Sequence, residues 1–143
     1  MATSMEGEIR KLTYDNFKAT GFQITPQVKN GNPTSKSGRA RQIAVSFDVA
    51  KVPAEFQGVR PVYLVITDEN GNPIPRTDYI PTTVSLNNQP QDIMPVEMRE
   101  ENIGASQRIE FVHDLEDKLD EGYYRVSVYT DIGLLGSSNF RMR

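Results

Sequence analysis

Leu119-Asp120-Glu121-Gly122-Tyr123-Tyr124-Arg125-Val126-Ser127-Val128-Tyr129, near the end of the 143-residue chain, decides the fold. The stretch has the form L-x-x-G-x-Y-x-V-x-V. Tyr124, Val126 and Val128 alternate with Arg125, Ser127 and Tyr129, the period of a strand with one buried face. Gly122 supplies the backbone freedom that turns the chain into this strand. Leu119 is placed to plug the end of the core. A buried Tyr124 ring needs a partner for its hydroxyl, and a loop backbone group can supply it.

Outward from this strand the chain keeps the same character. Ile43, Val45, Phe47 and Val49 alternate with Ala44, Ser46 and Asp48, a second strand with one wet face. Pro61 to Thr67 is almost continuously apolar, which predicts a central strand covered on both faces or lying near a sheet-crossing point. Ala19–Val28, Thr82–Leu86, Asp92–Met98, Arg108–His113 and Leu134–Arg143 complete the set. Lys29–Gln42, Val52–Arg60 and Glu100–Ser106 read as connections, and Asp114–Asp120 as an acidic connection with one helical turn. Asn70-Gly71 marks a hairpin turn after the central strand. Turns at intervals of about 8–12 residues predict an all-β sandwich of seven to nine antiparallel strands. Residues 1–17 form a leader or a short helical or extended lead-in, and 18–143 the sandwich domain. No internal repeat is visible.

Composition narrows the function classes. With no cysteine there is neither a disulfide framework nor a thiolate metal site. No window approaches the roughly 18 apolar residues of a membrane helix, so no membrane insertion is expected within this chain. The net charge of −3 is unevenly spread. Residues 1–60 hold nine Lys/Arg against five Asp/Glu, and residues 92–121 three against ten. The basic loop with Lys29, Lys36, Arg39 and Arg41 lacks the interleaved aromatic residues of a single-strand binding surface, so no nucleic acid is expected.

The candidate chemical groups are sparse. His113 is the sole histidine and sits beside Asp114, but the chain has no cysteine and no G-x-S-x-G elbow to supply a nucleophile. Asp114 to Glu121 is rich in carboxylates without the ordered spacing of a calcium loop, and Lys118 lies among them. Asp68, Asn70 and Asn72 are spaced like oxygen ligands but lack a later acidic ligand, and a hairpin turn accounts for them. No cofactor, metal or catalytic residue is assigned. The surface that stands out is the wet face of the last two strands: Tyr123, Arg125, Ser127 and Tyr129, with Arg141 and Arg143 nearby. Tyr and Arg together are the residues that dominate protein interfaces.

The Leu119 to Tyr129 pattern resembles the tyrosine corner of immunoglobulin-like Greek-key β-sandwiches. Extended through Asp131, Gly133, Leu135, Gly136 and Phe140, and joined with Tyr63 to Gly71, it looks like the C-terminal immunoglobulin-like domains of poorly characterised bacterial proteins that carry an upstream coiled coil. That resemblance implies a non-catalytic structural or protein-interaction domain within a larger chain, with a protein partner or self-association. It makes Glu6 to Phe17 a candidate remnant of an upstream helix. A carbohydrate- or calcium-binding sandwich module is the alternative.

Overall fold

The computed structural model describes residues 18–74, 81–86, 89–131 and 133–143. The lead-in over 1–17, residues 75–80, 87 and 88, and Ile132 lie outside them. The described residues are all-β, with antiparallel pairing throughout. The strands are β1 (Ala19–Gln27), β2 (Gln42–Val49), β3 (Gly58–Asp68), β4 (Thr82–Leu86), β5 (Gln89–Ile93), β6 (Glu97–Ile103), β7 (Gln107–Asp114), β8 (Gly122–Thr130) and β9 (Gly133–Met142), with one 3₁₀ turn at Ala54–Phe56. They form a three-stranded sheet β1-β2-β7, a four-stranded sheet β6-β3-β8-β9 and a separate hairpin β4-β5. The chain therefore crosses between the two main sheets after β2, after β6 and after β7.

The period-2 patterns place the core between the sheets. Ile43, Val45, Phe47 and Val49 from β2, Val62, Leu64 and Ile66 from β3, and Tyr124, Val126 and Val128 from β8 are all buried. Phe47 stacks between Phe22 at 5.4 Å and Phe111 at 6.5 Å, tying β1, β2 and β7 together. Leu119 is buried at the end of this core, as its position in the sequence predicts.

Two sequence expectations are corrected. Asp92 to Met98 is not one strand. It divides at Met94-Pro95-Val96, and Glu97–Ile103, read as mostly loop, is β6. β6 escapes a hydrophobicity reading because it is an edge strand. Its backbone pairs with β3 from Leu64↔Glu97 to Gly58↔Ile103, while most of its side chains stay polar. The acidic connection after β7 contains no helical turn. Leu115 instead donates its N–H to the Arg41 carbonyl at 2.9 Å, which docks this connection on the basic loop.

The long sides of the sandwich close differently. Along β6 and β7, His113 Nδ1 lies 2.7 Å from Glu97 Oε2, and Arg99 stacks over Phe111 at 4.5 Å while donating to the Glu110 carbonyl. Along β1 and β9 the backbones themselves approach. A Cβ on Gly136 would lie 2.9 Å from the Ala19 carbonyl oxygen and 3.0 Å from the Phe22 ring, so only glycine fits.

One short motif is used twice. Asn30-Gly31-Asn32-Pro33 and Asn70-Gly71-Asn72-Pro73 close the same turn after β1 and β3. Gly31 donates to Val28 and Gly71 to Asp68, while Val28 donates to Asn32 and Asp68 to Asn72, all at 2.8–3.0 Å. The two turns thus share one chemistry.

Candidate interaction surface on the outer face of the four-stranded sheet

Pairing register fixes which side chains share this face. Thr67 lies opposite Arg125, and Arg125 opposite Asn139, so the three make one row across β3, β8 and β9. Strand neighbours in such a row are about 4.8 Å apart. Tyr123 and Arg141 make the next row toward the β3 turn. On the other side, Val65 pairs with Ser127, and beyond it Tyr63 pairs with Tyr129.

The hairpin β4-β5 covers only part of this face. Val84 and Ile93 are buried against Val65, with Tyr63 and Tyr129 packed around them. Ser85 anchors the hairpin by donating its N–H to the Asp131 carbonyl at 3.1 Å. The expectation that β3 is covered on both faces holds at Tyr63 and Val65, under the hairpin, and fails at Thr67, which lines the open part of the face.

The uncovered part forms an open groove of about 380 Å³ lined by Thr67, Asp68, Glu69, Gly71, Tyr123, Tyr124, Arg125 and Asn139. Tyr123 is 53% exposed, with the Arg141 guanidinium 5.3 Å from its ring centroid. Arg125 is exposed, and its Nε reaches Asn139 Oδ1 at 3.4 Å. Asp68 Oδ1 is occupied by the N–H groups of Asn70 and Asn72, each at 2.9 Å, which holds the turn that overhangs the groove. Asp68 and Asn72 thus act as turn residues.

The rear of the groove is braced by the opening motif of the sequence. Tyr124 buries its ring, stacks on Phe140 at 5.3 Å and donates its hydroxyl to the Asp120 carbonyl at 2.7 Å. This is the loop-closing bond expected from the sequence. Gly122, at φ +143°, makes the turn into β8 in a conformation that side chains disfavour. Burial, with the Asp120 carboxylate second, raises the Tyr124 hydroxyl above its ordinary pKa. Burial likewise raises Tyr129, with a smaller opposing effect from Arg125.

Of the residues singled out by sequence, the fold places Tyr123 and Arg125 in the groove, with Arg141 over the Tyr123 ring. It sets Tyr129 apart, half-buried beside the hairpin. Thr67, Glu69 and Asn139 were not foreseen. Asn139 was within reach, because antiparallel pairing of the last two strands places it near Arg125, but the β-bulge between Val128 and Tyr129 shifts the count by one. His113 points into the core toward Glu97, while Asp114 points to solvent, so the sequence neighbours do not form a pair. Among the described residues no cluster of three or more His, Asp or Glu is arranged to hold a metal ion, and no helix is long and apolar enough to cross a membrane.

The model of a family described as a domain of unknown function, DUF8428, matches residues 15–143. No curated protein matches the chain. Among solved structures it is similar to the alkylpurine DNA glycosylase AlkC of Pseudomonas fluorescens bound to DNA containing an abasic-site analogue. There the TM-score is 0.51 and the identity 18%, over 94% of this chain and 32% of that one. It is also similar to a β-glucosidase of Kluyveromyces marxianus in complex with glucose, with a TM-score of 0.49 and 15% identity, over 89% of this chain and 13% of that one. The chain thus spans about a third of the glycosylase chain, and at this identity the likeness is one of fold.

Proposed function

The chain belongs to the DUF8428 family, and we propose that it is a non-catalytic interaction domain, an immunoglobulin-like Greek-key sandwich that works within a larger bacterial protein. The observation that carries this reading is the division of one sheet face. An internal hairpin shields its apolar rows, while Tyr123, Arg125 and Arg141 stay open around a groove. Tyr orders at little entropic cost and Arg adds a planar fork of donors, so the two together on a rigid sheet make good contact surfaces. The sandwich order supports the immunoglobulin-like reading, since β2 pairs with β7 and β3 with β8 across the crossovers. The inward orientation of His113 supports a non-catalytic role.

The test uses photocrosslinking. A photoreactive residue at position 123 should trap one defined protein partner, or a second copy of the chain. The same residue at position 112, on the exposed face of the other sheet, should not. Equal trapping at both positions, or trapping at 112 alone, would sink this assignment of the face.

One observation favours a second reading, a carbohydrate-binding module. The groove combines hydrogen-bond donors from Arg125 and Asn139 with the Glu69 carboxylate and an exposed Tyr123 ring. Sugar hydroxyls use both donors and acceptors. Glycan-array binding that is lost in Tyr123→Ala would select this reading.

A further inference from the structure

We infer that the groove takes an extended peptide segment that presents an acidic side chain to Arg125 and, beside it, a basic side chain to Glu69. This rests on the reading of the face as an interaction surface and names the chemistry of its partner.

The inference comes from how the cations of the sandwich are used. Arg60 pairs with Asp131 at 3.0 Å, Arg99 with Glu101 at 3.2 Å and Arg108 with Asp48 at 3.1 Å. Arg41 donates to the Gly38 and Ala40 carbonyls. Arg125 is the one of these that lines the groove, and its hydrogen bond goes to the Asn139 amide at 3.4 Å, with no ion pair to a carboxylate among the described residues. Two carboxylates line the same groove, yet neither meets it. Asp68 is engaged in its turn, and Glu69 lines the groove with Oε1 near Gly122. A cation without an ion-pair partner among the described residues and an acid outside the turn's hydrogen bonds thus line one open volume.

That arrangement selects among ligands. A polyphosphate backbone meets repulsion from Asp68 and Glu69, and an all-basic segment meets repulsion from Arg125. A peptide with an acid next to a base satisfies both walls. Its backbone amides are suited to Thr67 and Asn139, which offer a hydroxyl and a carboxamide at the groove floor. Tyr123, already held by Arg141, supplies the flat contact.

The experiment is selection from a displayed random-peptide library on the whole chain, followed by titration of the consensus peptide against variants. Wild type should select Asp or Glu next to Lys or Arg. Arg125→Glu should weaken the consensus peptide by about tenfold or more, the scale of one charge-assisted contact. Replacing the peptide's acid by Lys should restore binding to that variant. Arg125→Ala, with an unchanged melting curve, guards against misfolding as the cause. A neutral consensus lost in Tyr123→Ala would overturn the carboxylate inference and leave the interaction face standing. Peptides that bind Tyr123→Ala and Arg125→Glu as well as wild type would overturn both. Failure to select any peptide, or binding of glycans alone, would also overturn it.

Discussion

The two halves of the outer face of the four-stranded sheet share strands, register and backbone, yet one is closed and the other open. The closed half carries Tyr63, Val65 and Tyr129 beneath Val84 and Ile93. The open half carries Thr67, Tyr123, Arg125, Asn139 and Arg141. Side-chain chemistry makes the difference. Covering an apolar row gains roughly 1.5–3 kcal/mol per well-buried aliphatic side chain. Covering Arg125 without a partner would cost more than that. The hairpin therefore settles where the sheet is greasy and stops where it becomes charged.

The largest effect should come from breaking the closed half. Ile93→Ala removes part of the hairpin's contact and should cost about 2–3 kcal/mol in urea unfolding, near the lower end for a buried aliphatic because the site can relax. A midpoint shift below that of the Tyr124 variant described next would mean the hairpin is only loosely attached. Tyr124→Phe, behind the open half, removes the bond to Asp120 and should lower stability by about 1 kcal/mol. An unchanged midpoint would show that the bond contributes nothing net.

Alkaline titration sharpens the comparison further. Burial disfavours the Tyr129 phenolate, so its folded pKa lies above the unfolded value of about 10. The associated stability is fully present below the unfolded pKa and is lost as pH rises through the folded one. Tyr129→Phe should flatten that alkaline loss. In Ile93→Ala the Tyr129 absorbance transition should move down toward the ordinary range, and a transition that stays put would show that the hairpin is not what buries it. The smallest effect belongs to the open half. Arg125→Ala and Asn139→Ala should change stability by no more than about 0.5 kcal/mol, because neither supports the core.

These halves were unequally legible in sequence. The inward set Leu119, Tyr124, Val126 and Val128 was readable because a buried strand face imposes a period of two. The outward set Tyr123, Arg125 and Tyr129 followed by subtraction. Its division did not, because Tyr63, Val65 and Tyr129 become one apolar cluster only when β3 and β8 lie side by side and a hairpin some twenty residues downstream of β3 folds back over them. β6 was missed for a related reason. Its hydrogen bonds to β3 are a property of the partner strand, and its own polar side chains carry no period.

The sequence by itself determined that the chain is all-β, which stretches form its inner strands, and that Tyr124 closes a loop at the start of β8. Local alternation, turn residues and the need to satisfy a buried hydroxyl suffice for that. Only the tertiary structure decided that Tyr123, Arg125 and Asn139 meet at a groove while Tyr129 does not. Register, a β-bulge and the docking of a distant hairpin set those positions, and each depends on contacts between segments far apart in the chain.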